Sequence, residues 1–592
     1  MEINLDPLPL GRGRVREGVI SLHPSLGTVA CLVSVLVAAC AAPAAPSPGS
    51  PSAPQAPTGP KTLTIALQRE PVDFGGFGTS STTAGGASNV VPIVNDPLTY
   101  TDDKGVNHPL LAAATPSIEQ GTWKVFPDGT METTWKLRPN VKWHDGTALT
   151  PDDFQFGFTV THDRDLPGGR NAAVVAAQKT QAFPDPQTMV ISWASLNYAG
   201  DIADATRLPK RLLEDAYTTD KLGAFVNHPY FTTEFFGVGP YKLDRWERNS
   251  QLDFSRFDDY YLGRPPFDRV FVKIIGDPQA EVANILSGTV DIVLPTGVDL
   301  DAALEVRKQW EGTGNEVRAD LSGRPIEFEV QYRPDTARPL NGLRLKDVRQ
   351  GLYQGLDRNA INLVGSASLG PLADSWVQPG EVLRKDVESS IPKYPYDLVA
   401  AQRLLAGAGW TKGPDGVLLH QPDGERFELD IWANQAIGWD KIATVAADQW
   451  KSLGVQTTVA TIPTPFLGNR QYESSYPGLF VTNVNVEQFW AQNFSGRLDS
   501  HYMAAPENNF NGSNRGGYNN PSVDAIYSRI YATLDPQELL SVKRQLLQEA
   551  LGDAALMPLY WEVLPVLKVK GVKDHITWVA TSTWFFYDWN RD

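Results

Sequence analysis

The chain has 592 residues, a net charge of −16, and ordinary apolar and charged fractions of 42% and 20%. That length is too great for one hydrophobic core and predicts two or three domains, and the acidity argues against nucleic acid, which needs a basic surface. Both cysteines, Cys31 and Cys40, lie near the N-terminus, which excludes disulfides, cysteine nucleophiles and Cys-based zinc sites from the body of the protein.

Arg12, Arg14 and Arg16 precede an apolar run from Leu26 to Ala39. The run is short for a bilayer span and suits the core of a signal peptide. It ends Val37-Ala38-Ala39-Cys40, and small residues before a Cys resemble a bacterial lipobox. Residues 1–39 are therefore expected to be a lipoprotein signal peptide, with Cys40 as the lipid-attachment residue. Residues 40–60 are almost all Ala, Pro, Ser and Gly, so they are expected to form a flexible tether. Two or more acyl chains on Cys40 would anchor the protein stably on the extracytoplasmic face of a cell membrane.

Lys61 to Leu67 alternates at period two and reads as a first strand. Gly75 to Gly86 is a Gly/Ser/Thr loop without a phosphate-cradle motif, expected at a cleft rim. Trp135 to Phe158 reads as strand, turn, short strand, turn and helix start. Pro139-Asn140 and Asp145-Gly146 are turn chemistry. Thr150 can cap the helix, Pro151 suits its first position, and Asp153 sits where a capping-box acid reaches back. Pro184 to Gln187 is a turn before the strand Thr188 to Trp193. Gly237 and Gly239 flank the start of a strand at Pro240-Tyr241 and allow a backbone pivot. A strand over Val270 to Ile275 leads to a helix from Gln279 carrying Val282, Ile285 and Leu286.

A helix from Asp347 sets Val348, Leu352 and Leu356 on one stripe; its Gly351 and Gly355 should weaken it by about 1 kcal/mol each unless close packing requires them. Leu398, Ala401, Leu405 and Ala408 mark another helix, and Trp439 to Leu453 a third, stopped by Gly454. Strands are expected over Phe427 to Trp432 and Val455 to Ala460. Asp535 caps a last helix with Leu539, Val542, Leu546 and Ala550.

The stretch with Leu137, Arg138, Val141, Lys142, His144, Asp145, Gly146, Thr150 and Asp153 resembles the signature of family 5 extracellular solute-binding proteins of ABC importers, the oligopeptide/dipeptide/nickel-binding group. Further pieces resemble that family in order: Leu98 to Ala112, Gly237 to Tyr241, Tyr260 to Asp268, Ser287 to Ile292, Asp347 to Ile361, Ala401 to Trp410, and Met557 to Tyr560. The resemblance implies an α/β, bilobal Venus-flytrap fold of the periplasmic-binding-protein type (type II, cluster C) with an extra small domain. Lobe I is expected over 61–85, 236–328 and 556–592, the extra domain over 86–235, and lobe II over 329–555. Two strands crossing between the lobes are placed near Gly239 to Lys242 and near Phe328 to Tyr332. The partners implied are a small-molecule or peptide solute, ABC permease subunits and, through the lipid, the membrane.

Enzyme chemistry lacks a motif. None of the eight histidines pairs with another at i,i+2 or i,i+4, and there is no GxSxG elbow. No catalytic residue, metal or cofactor is expected, with a secreted hydrolase as the alternative from another class. Phe466-Leu467-Gly468-Asn469-Arg470 resembles the segment that, in oligopeptide binders, carries an arginine for the peptide carboxylate, and the resemblance implies that role for Arg470. Those proteins also carry an Asp for the peptide amine, in a stretch that here reads Gly478 to Asn485 and has only the neutral Thr482, Asn483 and Asn485. A neutral amide cannot balance a buried ammonium. The solute is therefore peptide-like by resemblance, or an oligosaccharide or other neutral organic molecule by the missing acid. Trp376, Trp432, Phe489 and Trp490 are expected as aromatic walls, with Asn434, Asn483 and Asn485 as amide contacts.

Overall fold

The computed structural model describes residues 59–74, 87–101, 107–163, 165–166, 175, 177–198, 200–201, 205–295, 297–379, 383–435, 438–463, 466, 469–484, 496–508, 510, 512–576, 583 and 585–592. Contacts divide the chain into residues 1–59 and 60–592. The expected signal peptide, Cys40, nearly all of the tether and the whole Gly75 to Gly86 loop lie outside the described residues.

One ten-stranded sheet among the described residues collects strands from the whole body. In chain order these are β1 (Thr62–Leu67), β2 (Tyr241–Glu247), β3 (Gln251–Arg256), β4 (Arg269–Ile274), β5 (Ile292–Val293), β6 (Glu316–Val330), β7 (Glu428–Ala433), β8 (Gln456–Thr461), β9 (Leu479–Asn483) and β10 (Leu556–Lys568). Their spatial order is β8-β7-β9-β6-β10-β5-β1-β4-β3-β2. At one end β1 runs parallel to β4 and β5, and at the other β7 runs parallel to β8 and β9.

The long strands β6 and β10 join the two ends. They pair antiparallel from Glu316↔Lys568 to Leu321↔Val563, and again from Pro325↔Trp561 to Glu329↔Leu556. The register shifts between Leu321 and Pro325, where Gly323 has φ +67. A non-glycine residue pays for that left-handed backbone, and glycine does not.

This corrects one expectation. The strand starting at Tyr241 is β2, the outer edge of the sheet, so Gly239 to Lys242 cannot cross between the ends. The crossing partner of β6 is β10, and the break in their pairing lies at 321–325, ahead of Phe328.

Each end has its own core. Leu63, Ile65, Val270 and Val272 pack together at the first, and Phe328, Val330, Ile431, Leu352, Trp450 and Val481 at the second. The helix α1 (Ala87–Val94) gives Val90 and Ile93 to the first core, where Leu208, Leu213 and Phe225 also pack. A separate sheet, built from Ala112–Ala114, Trp123–Val125, Met131–Leu137, Gln178–Asp185 and Thr188–Trp193, closes its own core around Trp135, Trp143, Phe154, Met189 and Trp193. The expected insert 86–235 is thus shared between two cores.

The signature stretch is a joint within this scaffold. Helix α2 (Pro151–His162) starts at Thr150, whose backbone N–H donates to Asp153 Oδ2 at 2.9 Å. The same carboxylate takes the Trp143 indole N–H at 3.3 Å and the Lys210 N–H at 3.1 Å, so one residue ties three segments. His144 Nδ1 accepts from the Gly237 N–H at 3.2 Å, which leaves Nε2–H to donate to the Gly239 carbonyl at 3.0 Å. Burial pushes the His144 pKa down to about 4, so the ring is neutral at pH 7.

Gly239 in turn donates to the Val94 carbonyl at 2.9 Å. A Cβ at Gly239 would stand 2.4 Å from Asn95 N and Val94 C. Gly239→Ala should therefore destabilise the protein by about 1–3 kcal/mol in urea titration; an unchanged midpoint would show that the two segments separate freely.

The glycines of the 347 helix are explained the same way. A Cβ at Gly351 would meet the Ala401 carbonyl and Leu405 at 3.2 Å, and one at Gly355 would meet Leu453 at 2.6 Å. These residues sit on the expected helices Leu398–Gly407 and Trp439–Leu453. Gly351 lies inside the helix Lys346–Gln354, where this close contact offsets its low propensity, whereas Gly355 is the C-cap beyond the helix and does not carry the expected helix-interior cost.

Candidate ligand cleft

In open α/β sheets, ligands bind outside the carboxyl ends of parallel strands. Here β7, β8 and β9 end at Ala433, Thr461 and Asn483, beside the register break in β6, since Asn483 pairs with Ile326. Alternation along the strands puts Ile431, Val481 and Phe328 into the second core and turns Trp432, Phe480, Thr482, Glu327 and Glu329 to the opposite face.

On that face lies an aromatic group. Trp432, half-buried at the end of β7, has its ring 4.9 Å from Tyr472, and Phe466 stacks on Tyr472 at 4.4 Å. Asn434 follows directly and is half-buried. Arg470 opens the short helix Arg470–Glu473, and burial, with Arg515 next to it, holds its guanidinium below its usual pKa. The strand ends therefore bring Trp432, Asn434 and Arg470 to one part of the structure. Asn483 lies beside the register break in β6, where its Nδ2 donates to Glu562 Oε2 at 3.4 Å.

Trp376 corrects the expectation of an aromatic wall. It is fully buried, and its indole N–H donates to Glu327 Oε2 at 2.6 Å. A ring with no exposed surface is core, and its hydrogen bond serves the interior. Asn485, Phe489 and Trp490 lie outside the described residues.

Beneath the strand ends is a buried ionic cluster that sequence reasoning missed. Arg497 pairs with Glu327 through Nη1 and with Glu329 through Nη2 at 2.8 Å. Arg515 bridges Glu329 and Glu473, each at 3.1 Å, and its guanidinium lies 5.0 Å from the centre of the Phe480 ring. Thr482 Oγ1 accepts from Arg497 and Arg515 at 3.5 and 3.3 Å. Burial raises the Glu327 pKa to about 7 against the pull of Arg497, whereas Arg515 and Arg497 overcome burial at Glu329 and lower its pKa. A signal existed in the chain: Ile326, Phe328 and Val330 alternate with Glu327 and Glu329, which puts two acids on one face of an apolar strand.

Among the described residues, Asp499, His501 and Asp524 bring three possible metal-ligand atoms within 4.8 Å of one another. Their contacts are those of a capped turn. Asp499 Oδ1 accepts from the His501 N–H at 2.9 Å and lies 2.7 Å from His501 Nδ1, and Asp524 accepts from the Ser500 N–H and hydroxyl at 2.9 and 2.6 Å. No helix of the described residues is long and apolar enough to cross a membrane.

A family model for bacterial extracellular solute-binding proteins, family 5, matches residues 113–503. The oligopeptide-binding protein AppA of Bacillus subtilis is 27% identical over 340 residues, 56% of this chain and 58% of AppA, so the match spans little over half of that relative. Heme-binding protein A of Haemophilus influenzae is 23% identical over 454 residues, 72% of this chain and 75% of that protein. The crystal structure of an oligopeptide-binding protein from Thermus thermophilus complexed with a pentapeptide superposes with TM-score 0.71 at 20% identity, covering 87% of this chain and 93% of that one. NikZ from Campylobacter jejuni, in complex with nickel and histidine, gives 0.71 at 20% identity over 89% and 99%. At such identities the superpositions establish the fold, a bilobal α/β fold of the cluster C periplasmic-binding-protein type. With a family model matched over most of its length, and with the fold of those proteins, this chain belongs to the family 5 bacterial extracellular solute-binding proteins, a family of non-catalytic substrate-binding proteins of ABC transporters.

Proposed function

We propose that this protein is the extracytoplasmic receptor of an ABC importer, anchored by lipid on Cys40, and that it captures a peptide-like solute between the two ends of its sheet for delivery to the permease. The observation that carries this reading is the connection between those ends. Within the sheet they are joined through β6 and β10, whose ladder breaks at 321–325, beside the carboxyl ends of β7, β8 and β9. A break in pairing lets two crossing strands bend while the cores on either side stay rigid. A solute touching both sides then favours the closed state by its differential affinity. Trp432, Asn434 and Arg470 offer it an apolar ring, an amide and a cation.

A second reading, a neutral solute such as an oligosaccharide, is favoured by one observation. Thr482 and Asn483 at the end of β9 carry no charge, and Thr482 is occupied by Arg497 and Arg515. Gentle purification followed by native mass spectrometry separates the two readings by the mass of the trapped solute. A member of the correct class should quench or shift Trp fluorescence and, at a hundred times its Kd, stabilise the protein by about 2.7 kcal/mol. No response to any member of a broad peptide panel, together with a response to a glycan, would replace the first reading with the second. Cys40→Ala should move the protein from the membrane fraction to the soluble fraction.

A further inference from the structure

The break between the crossing strands is itself a polar site. Ser322, Gly323 and Arg324 fill the gap between the pairs Leu321↔Val563 and Pro325↔Trp561, opposite Glu562. The Ser322 hydroxyl donates to Glu562 Oε2 at 3.0 Å, and the Asn483 amide donates to the same oxygen at 3.4 Å. Arg324 Nε lies 3.1 Å from it, close enough for an ion pair but without the alignment of a hydrogen bond. Three groups from two other strands thus hold one carboxylate oxygen. Among the described residues Glu562 Oε1 meets no donor, and Arg324 Nη1 and Nη2 meet no acceptor. Both side chains reach solvent, with 26% of Arg324 and 17% of Glu562 exposed.

We propose that Arg324 and Glu562 form a two-point anchor at the hinge for a solute group that presents an N–H donor and an oxygen acceptor side by side, as one residue of an extended peptide does through its own N–H and C=O, or as a charged chain end does beside its neighbouring peptide group. The proposal rests on the peptide reading above. The outward atoms, Glu562 Oε1 and Arg324 Nη1 and Nη2, reach solvent and are open to a solute, while the inward Oε2 and Nε are held in place. The pair is neutral as a unit, so it matches a group that is polar on both sides rather than a lone cation or anion. A carboxylate fixed by three neighbours, beside a planar guanidinium, suits bidentate recognition. The anchor also has a position that a one-lobe site lacks. Arg324 is on β6, Glu562 on β10, and Asn483 on the adjacent β9, so a solute bound there touches both bending strands and can favour one degree of closure.

The test measures binding of a random pentapeptide pool, then of pentaalanine with free ends and pentaalanine with acetylated and amidated ends, by calorimetry and Trp fluorescence. Wild type is compared with Arg324→Met and Glu562→Gln, with circular dichroism and melting temperature as folding controls. Each variant should lose about ten- to a hundredfold in affinity for the pool. Blocked ends should cost wild type about tenfold if the anchor takes a charged chain end, and nothing if it takes the N–H and C=O of an internal residue. Should Arg324→Met fail to fold, Arg324→Lys keeps a charge beside Glu562 but loses the outward fork, and a loss of at least fivefold is expected. Variants that bind the pool within twofold of wild type would overturn the anchor and leave the peptide reading intact. A wild type that binds no peptide would overturn the peptide reading, and the anchor with it.

Discussion

Arg497→Met should destabilise the protein by about 3–5 kcal/mol, the usual cost of removing one partner from a buried ion pair. Arg497 is 5% exposed, and its two acids, Glu327 and Glu329, are as deeply buried. The variant leaves them unequal. Among the described residues, Glu329 keeps Arg515 at 3.1 Å and the Gly516 N–H at 3.3 Å, whereas Glu327 keeps only the Trp376 indole at 2.6 Å. Glu327 already has its pKa raised to about 7 by burial, and without Arg497 it should be protonated at neutral pH. Adding Glu327→Gln should therefore recover part of the loss, and the double-mutant cycle should show a coupling of at least about 1 kcal/mol. Urea titrations followed by Trp fluorescence at pH 7 measure all four proteins. A single-variant loss below about 1 kcal/mol would mean that water reaches the cluster and that it does not hold residues 497–515 to the sheet.

Glu281→Met should stabilise the protein at pH 8 and flatten its pH dependence between about pH 5 and 8. Glu281 lies in the helix Pro278–Leu286 with no exposed surface, and neither carboxylate oxygen has a partner among the described residues. Burial alone raises its pKa from 4.5 to about 8. The folded protein thus holds this proton over a range where the unfolded chain has released it. Its contribution is fully present below pH 4.5 and is lost as pH rises through 8. The slope is at most about 1.4 kcal/mol per pH unit, and the whole range has a ceiling of about 4–5 kcal/mol.

Glu327 titrates in an overlapping range with the same sign, so the difference between wild type and variant is the quantity to follow. Unfolding free energies at pH 5, 6, 7 and 8 should converge at the acid end and separate with rising pH. Parallel curves would place a partner or water at the Glu281 carboxylate.

Several elements were legible because their causes are local. The Thr150–Asp153 helix start, the Trp439–Leu453 helix stopped by Gly454 and the Asp535 cap all appear where the spacing put them, with Gly454 at φ 92 and Asp535 accepting from the Glu538 N–H at 2.8 Å. A helix cap is settled by residues three apart, and a helix face by residues three and four apart. The family, too, was readable, because its signature is made of such turns and caps.

The site was legible only in part. Trp432 stands at the end of β7 against Tyr472, in the helix that Arg470 opens, and Asn434 follows that strand, since strand ends and the loops after them follow from local pattern. Trp376 was misjudged because a tryptophan in a wall and one in a core look alike in sequence, and only the packing around the Glu327 carboxylate distinguishes them.

The sequence by itself determined the family, the local elements and the absence of cysteine chemistry from the body of the chain. The tertiary structure decided which strands cross between the lobes, that Glu327 and Glu329 meet Arg497 and Arg515, and that Arg324 stands beside Glu562. Those pairs are 168 to 238 residues apart along the chain, apart from the short step from 327 to 329. Strand order and register bring them together, and both depend on non-local pairing that no window of neighbouring residues encodes.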